Sequence, residues 1–395
     1  MAIGLNANNN NFYNLDISNL FMKKVLYLYY DLPAYRRDFL TSLSNKLNKE
    51  NIDFKFIYGK QSNSAVSIQD KNVSFKTIEL ELKKIHVVFA ELLIYKDLIK
   101  IIKQEKPDVV VLQFHVAVLS FWRLYFYLMR LNIPYITWDC NYTRDTLNGL
   151  AVKIRKKMVD FTYKNAKVCL TYGHVFKDYL LNMGKPEDCI VVAQNTINVE
   201  KIFENRSKAC EKRSFNSPLR ILYVGALIQR KYVESAIKAV GKLIIKGYDI
   251  YFDIVGTGDY IQSLKKLNEV EGSTDRIIFH GAKKGKELQR FFEEDDVFIL
   301  PGTGGLAINE AMAYSMPIIS TKGDDTVLDL LDGNGYLLKD FGNVDEIYTC
   351  LKDFIELPEI EKQKMAKRSE EIIIERASLE NMVNKHVLAI KKTLK

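Results

Sequence analysis

Residues 297–321 read VFILPGTGGLAINEAMAYSMPIIST, and this stretch decides the fold class of the chain. The apolar run 297–300 has the length of a buried strand, and Pro301 ends it. A glycine-rich loop follows, and a segment with helical spacing then carries Glu310. This segment ends before Pro317, where another apolar run predicts the next strand. The order strand, loop, helix, strand is typical of a parallel α/β sheet.

The glycine loop in front of this helix is suited to phosphate binding. Glycines let the backbone approach a ligand closely and adopt positive φ angles. The free N–H groups at a helix start, together with the positive end of the helix dipole, attract anions. Glu310 lies one turn further in, where its carboxylate would accept hydrogen bonds from ribose hydroxyls. A glycine-rich turn alone is weak evidence, because every α/β domain contains strand–loop–helix units.

The spacing of residues 301–319 resembles the signature of retaining GT-B glycosyltransferases, called glycosyltransferase group 1 and similar to family 4. That signature reads Pro-Ser-x-x-Glu-Gly-x-Gly-Leu-x-x-x-Glu-Ala-Met-Ala-x-Gly-x-Pro-Val-Ile. Residues 310–313 (EAMA) and 317–319 (PII) match it closely. The resemblance implies an α/β chain with the GT-B fold, in which two Rossmann-like domains face a central cleft. It also implies bacterial surface-polysaccharide or glycoconjugate biosynthesis.

One position departs from the signature. The family has two glutamates eight positions apart, and the position eight before Glu310 is Gly302. The first glutamate contacts the donor sugar in the family, and Gly302 and Thr303 take its place here. The departure leaves the identity of the sugar open, whereas the loop from Gly304 to Ala307 still matches.

Further matches to the family surround this stretch. The segment GALIQRK, residues 225–231, resembles Gly-Arg-Leu-x-x-x-Lys-Gly, but the arginine is Ala226 here and the second glycine is Tyr232. Lys231 keeps its place, and Arg230 would supply the lost charge. The resemblance implies a donor site made of Gly225, Arg230, Lys231, Gly256, Gly258, Gly281, Thr303, Gly304, Gly305, Leu306, Ala307 and Glu310.

The implied reaction moves a sugar from a UDP- or GDP-linked donor to a hydroxyl of a glycan or lipid-linked acceptor, with retention. Lys231 and Glu310 are the candidate catalytic residues of the second half, and His115 is the candidate of the first half. His115 ends the strand-like run PDVVVLQFH, where related enzymes often carry a histidine near the donor sugar; a structural histidine is the alternative. No Asp-x-Asp motif suggests a metal, so we expect cations and N–H groups to stabilise the departing diphosphate.

The candidate acceptor residues follow strands of the first half. Tyr35 and Arg36 come after the first strand, and Asp139 and Arg144 come after a later one. Ligands of open α/β sheets bind at the carboxyl ends of strands, so these side chains are expected to face the cleft. A solvated first helical turn is the alternative for Tyr35 and Arg36.

Composition and charge limit the function classes. The net charge of +8 suggests an anionic partner. A lysine-rich helix in residues 150–167 predicts peripheral contact with an anionic membrane at the inner face of the plasma membrane, and an ordinary solvated face is the alternative. Five scattered cysteines suggest neither disulfides nor zinc, which fits the cytoplasm. The third glycine of a dinucleotide fingerprint is missing at Ile261, and no motif indicates nucleic-acid binding.

The domain organisation follows from changes in composition. We expect a polar tail over residues 1–21, with Met22 as the native start, and helical spacing predicts a helix over 85–103. The polar stretch 200–217 is predicted to be a linker. The predicted units are an acceptor-binding domain at 22–205, a nucleotide-sugar-binding domain at 218–370, and a final helix at 371–395 that crosses back to the first domain.

Two other functions remain open at this point. A nucleotide-sugar epimerase of GT-B architecture would act on the donor without an acceptor and would need catalytic carboxylates in the cleft. A non-catalytic partner subunit that has lost the first glutamate would bind the donor without transferring its sugar.

Overall fold

The first of two sheets is built from the N-terminal half of the chain. The computed structural model describes residues 22–60, 73–87, 90–113, 118–140, 150–215, 217–272 and 275–395. An eight-stranded sheet has the order β4-β3-β2-β1-β5-β6-β7-β8, and every pairing is parallel except that of β3 with β4. Its strands are β1 (Lys23–Leu28), β2 (Ile52–Lys60), β3 (Lys76–Val87), β4 (Ala90–Tyr95), β5 (Val109–Leu112), β6 (Tyr135–Asp139), β7 (Val168–Thr171) and β8 (Ile190–Val192).

The structure corrects one predicted element of this half. The helix expected over residues 85–103 is wrong, because residues 90–95 form β4, which pairs antiparallel with β3. Only Leu98–Glu105 are helical in this region. The run AELLIY supports a strand as well as a helix, and the choice is made by pairing with a neighbouring strand.

The second sheet follows the order of a dinucleotide-binding fold. Its six strands are all parallel, in the order β11-β10-β9-β12-β13-β14. The chain therefore moves outward to one side from β9, returns, and continues on the other side from β12. The strands are β9 (Leu219–Val224), β10 (Ile250–Val255), β11 (Ile277–Gly281), β12 (Val297–Leu300), β13 (Ile318–Thr321) and β14 (Gly335–Leu338).

Helices cover the faces of both sheets, so the central strands are buried and almost wholly apolar. Those of the first half are α1 (Arg37–Lys49), α2 (Leu98–Glu105), α3 (Leu119–Arg130), α4 (Leu150–Asn165), α5 (His174–Asn182) and α6 (Val199–Asn205). Those of the second half are α7 (Val233–Ile245), α8 (Ile261–Glu271), α9 (Lys286–Glu294), α10 (Leu306–Ala313), α11 (Asp325–Leu330), α12 (Val344–Glu356), α13 (Glu359–Arg376) and α14 (Leu379–Leu394). Within the described ranges, no helix combines the length and the apolar character needed to cross a membrane.

The last helix belongs to the core of the first sheet. The apolar side chains of α14, including Met382, Val387 and Ile390, pack with residues of β1, β2, β5 and β6. The preceding helix, α13, packs with the second sheet through Ile372 and Ile373. The chain thus returns to its first half between the two helices, at Ala377 and Ser378. In the predicted linker region, α6 and a short 3-10 helix at Lys208–Lys212 are ordered elements.

Candidate functional site

The candidate donor site lies where the second sheet changes direction, between β9 and β12. Two loops meet at the carboxyl ends of these strands, residues 225–231 and residues 301–305. The Thr303 amide donates to the Arg230 carbonyl at 3.3 Å and ties the loops together. Ligands of open α/β sheets bind at such a switch point.

Lys231 is the cation closest to the glycine loop. Its Nζ donates a hydrogen bond to the Thr303 carbonyl, and it lies so near Gly304 that a Cβ there would overlap with it. Burial, and after it the neighbouring Arg230 guanidinium, lower the pKa of Lys231 from 10.5 to about 8, against the opposing effect of the Asp324 carboxylate. A partly desolvated ammonium of this kind would gain strongly from an added phosphate.

Helix α10 begins at the same place with its amides uncapped. Gly305 is the residue before the helix, and no side chain caps it. The amide of Ile308 makes the first intrahelical bond, to the Gly305 carbonyl at 2.9 Å, so the amides of Leu306 and Ala307 precede that bond. A Cβ at Gly305 would lie 2.6 Å from the Asp324 carboxylate. Glycine is therefore needed here for close packing.

Glu310 lies on α10, one turn beyond this loop. Its side chain is partly exposed, and no hydrogen bond or ion pair holds it among the described residues. Burial raises the pKa of Glu310 to about 7. Near pH 7 the group is therefore only partly ionised, and hydroxyl donors would stabilise its ionised form.

The other glycines of the predicted donor site have different roles. Cβ atoms at Gly256 and Gly258 would overlap with the carbonyl oxygens of Gly225 and Leu227. Gly281 has φ +70° and open space at its Cβ position. Gly256 and Gly258 thus allow two loops to pack together, whereas Gly281 meets a backbone requirement.

The structure gives a physical reason for the missing first glutamate. A Cβ at Gly302 would lie 2.5 Å from the Lys231 backbone, so a glutamate does not fit without a shift of that turn. The Arg230 guanidinium instead donates to the Thr303 hydroxyl at 3.0 Å. A pair of a cation and a hydroxyl thus stands where the family has a carboxylate.

The first half holds the predicted acceptor residues in very different environments. Tyr35 is 38% exposed, whereas Arg36 is only 2% exposed. Asp139 accepts from the Cys140 amide at 2.8 Å and from the Tyr163 hydroxyl at 2.9 Å, so its carboxylate supports local structure. The solvated turn considered for Arg36 is therefore wrong, because its guanidinium lies under aromatic rings. His115 and Arg144 lie outside the described residues.

Polar contacts connect the two halves beside the donor site, and sequence reasoning missed most of them. The buried Asn309 of α10 donates to the Asn195 carbonyl at 3.2 Å and to the Thr196 hydroxyl at 3.1 Å. The Asp329 carboxylate of α11 accepts from the His174 amide at 2.9 Å. Among the described residues, no group of three His, Cys, Asp or Glu side chains is placed to hold a metal ion.

Sequence comparison with known proteins finds relatives mainly of the second half of the chain, whereas structure comparison finds proteins that resemble the whole chain. Residues 206–372 match the family model "Glycosyl transferases group 1". The amylovoran biosynthesis glycosyltransferase AmsK of Erwinia amylovora is 28% identical over 176 residues, 42% of this chain and 42% of AmsK. The chain spans less than half the length of the curated relatives it matches.

Two solved structures share the overall shape. A glycosyltransferase from Rickettsia africae superposes with a TM-score of 0.70 at 18% identity, covering 95% of this chain and 99% of that one. Anabaena HepE in complex with UDP gives 0.69 at 13% identity, covering 94% and 100%. The chain therefore has the two-domain GT-B fold, and residues 206–372 within its second half are similar to glycosyltransferases of group 1.

Proposed function

We propose that this protein transfers a sugar from a nucleoside diphosphate donor to a hydroxyl group of a glycan or lipid-linked acceptor. The observation that carries this proposal is the arrangement at the switch point of the second sheet. Lys231, the uncapped start of α10 and the unpaired Glu310 converge there. One end of this arrangement suits a diphosphate and the other end suits a ribose.

The proposed reaction depends on stabilisation of the leaving group and requires no covalent nucleophile from the protein. The bond from the anomeric carbon to the diphosphate breaks, and the acceptor oxygen forms a new bond to that carbon. The hydroxyl proton passes to the departing phosphate on the same face, which retains the anomeric configuration. Negative charge grows on the diphosphate, where Lys231 and the amides of residues 304–307 would stabilise it without reorganisation.

The donor base is proposed to be uracil or guanine, and polysaccharide biosynthesis is the proposed setting. HepE was solved with UDP, and AmsK is named for amylovoran biosynthesis. The missing glutamate at Gly302 leaves recognition of the sugar to the Arg230–Thr303 pair and to backbone groups.

Peripheral contact with an anionic membrane is also proposed, through the outer face of α3 and α4. Phe126 and Phe161 are 60% and 44% exposed, with ring centroids 6.5 Å apart, and exposed lysines of α4 flank them. Rings enter the interface while lysines meet anionic headgroups. Cosedimentation with phosphatidylglycerol vesicles should be lost in Phe126→Ser/Phe161→Ser. Equal sedimentation of both proteins would contradict this.

A thermal-shift panel of nucleotides and nucleotide sugars tests the donor site. We expect one diphosphate class to raise the melting temperature, because a ligand that binds the folded state stabilises it. Lys231→Ala and Glu310→Ala should lose this shift. Lys242→Ala is the matched control, since this surface lysine pairs only with the exposed Asp345 among the described residues. Equal shifts in all four proteins would overturn the proposed site.

A further inference from the structure

A second unusual cation lies at the carboxyl edge of the first sheet. The strand order of that sheet reverses between β1 and β5, so the loop after β1 lies at its switch point. Arg36 stands at the end of this loop, directly before α1. The first sheet thus places a guanidinium at the kind of position where the second sheet places Lys231.

The guanidinium of Arg36 is buried. Among the described residues no carboxylate pairs with it, and its Nε and Nη1 have no hydrogen-bond partner there. Its Nη2 makes one long hydrogen bond, 3.4 Å to the Tyr172 hydroxyl. A buried donor without a partner destabilises the folded state, so this arrangement is unfavourable unless a ligand completes it.

Aromatic rings pack against the guanidinium of Arg36 and hold it in place. Its central carbon lies 4.4 Å from the centroid of the Trp138 ring and 5.1 Å from that of Tyr35. Burial disfavours the charged form, but an arginine guanidinium keeps its proton because its own pKa lies far above neutral pH. Such rings stabilise a cation through their faces but accept none of its in-plane hydrogen bonds. The rings therefore leave Nε and Nη1 of Arg36 without an acceptor among the described residues.

The ligand type that fits the Arg36 guanidinium is an oxyanion. Arginine binds phosphate and carboxylate groups through short charge-assisted hydrogen bonds. The amide end of α1 adds a favourable dipole at the same place, since α1 begins at Arg37 and no side chain caps it.

We propose that Arg36 binds a phosphate or carboxylate group carried by the acceptor, close to the hydroxyl that receives the sugar. This inference rests on the proposed glycosyl transfer, because it assigns the first sheet to the acceptor. It narrows the acceptor class from hydroxyl compounds in general to anionic ones.

Trp138 provides a direct readout. The chain has two tryptophans, so Trp122→Phe leaves Trp138, which stacks on Arg36, as the single tryptophan, and selective excitation of tryptophan reports on it. In this background we would titrate inorganic phosphate, glucuronic acid and neutral glucose. We expect a saturable fluorescence change with one or both anions and none with glucose. The stronger anion identifies the acceptor group as phosphate or carboxylate.

Variants separate binding from folding. Arg36→Gln should weaken the anion response at least tenfold, and the neighbouring Arg37→Gln should leave it within twofold. If Arg36→Gln does not melt cooperatively, Arg36→Lys takes its place as the test variant. Arg36→Lys keeps the charge but loses the planar donors, so it should bind the anion severalfold more weakly than the wild type. Absence of a saturable anion response with Arg36 present, or an equal response in the folded Arg36 variants, overturns the proposal.

Nucleotide binding in the same proteins distinguishes this inference from the proposed function. UDP and GDP titrations report on the second sheet and should be unchanged in the Arg36 variants. An anion response without nucleotide binding would overturn the proposed function. Nucleotide binding without an anion response would overturn only the acceptor site.

Discussion

The two sheets place a candidate ligand-binding loop at the same topological position but build it from different groups. In the second sheet, glycines bring backbone amides and Lys231 to the switch point. In the first sheet, the loop of residues 29–36 has no glycine, and the ring of Trp138 from β6 and the ring of Tyr35 from the loop itself pack against Arg36 instead. A site made of backbone leaves a spacing that can be read in the sequence. A site made of converging side chains leaves none.

The largest effect should come from removing the cation of the backbone-built site. Lys231→Ala should lower the rate of sugar transfer about 100- to 1000-fold, as expected for loss of one group that stabilises developing charge. Release of the nucleoside diphosphate, measured with the donor found by thermal shift, checks this. A rate within threefold of wild type, with Lys242→Ala also unchanged, would contradict the role of Lys231.

The glycines of the second sheet should differ in how much they matter. Gly258→Ala forces a Cβ onto the Leu227 carbonyl and should cost about 3 kcal/mol of unfolding free energy. In Gly281→Ala the new Cβ has no atom within 4 Å. Only the positive φ is unfavourable there, and it should lower the unfolding free energy by about 1 kcal/mol. Urea denaturation of the two variants measures the difference. Equal costs would show that loop packing is not the reason for Gly258.

The core of the first sheet contains a fully buried titratable group, His386 of α14. Its Nδ1 donates to the Met382 carbonyl at 2.8 Å, and burial lowers the pKa of His386 to about 3. The unfolded chain binds the proton near pH 6.5, so stability is full above that pH and falls as the pH drops toward 3. At pH 5 the loss should be about 2 kcal/mol.

Replacement of this histidine tests the effect. His386→Leu should flatten the decline in unfolding free energy between pH 7 and pH 5, measured by urea denaturation. An unchanged slope in the variant would assign the acid sensitivity to other groups.

The smallest expected effect is the pH dependence of nucleotide binding. Glu310 must be ionised to accept ribose hydroxyls, and its pKa is about 7. Lys231 must be charged to bind phosphate, and its pKa is about 8. Affinity should therefore fall severalfold below pH 7 and above pH 8. Glu310→Gln should lose the acid limb and Lys231→Arg the alkaline limb in calorimetric titrations. A flat profile in the wild type would contradict both roles.

The sequence predicted much of the second sheet and less of the first. Residues 297–321 contain a complete strand, loop, helix and strand, and prolines and glycines mark where the elements end. Their structure therefore follows from local signals. The helix predicted over residues 85–103 was wrong because the short apolar run at 90–95 becomes a strand only by pairing with β3. The roles of Gly256 and Gly258 were equally hidden, since they depend on a loop about thirty residues earlier.

Arg36 shows the same limit within the candidate sites. Its type and position after the first strand predicted a role in binding, but the sequence also allowed a solvated turn. Its burial depends on Trp138 and Tyr172, which lie more than a hundred residues away in the chain. Long-range packing of this kind has no local pattern.

The central claim is that the turn before Ala307, together with Lys231, binds the diphosphate of a nucleotide sugar. A crystal structure with UDP or GDP, whichever binds more tightly, tests it most directly. The account predicts phosphate oxygens within hydrogen-bonding distance of Lys231 Nζ and of amides in residues 304–307, with the ribose at Glu310. A diphosphate bound elsewhere, with this turn unchanged and free of ligand, would contradict it.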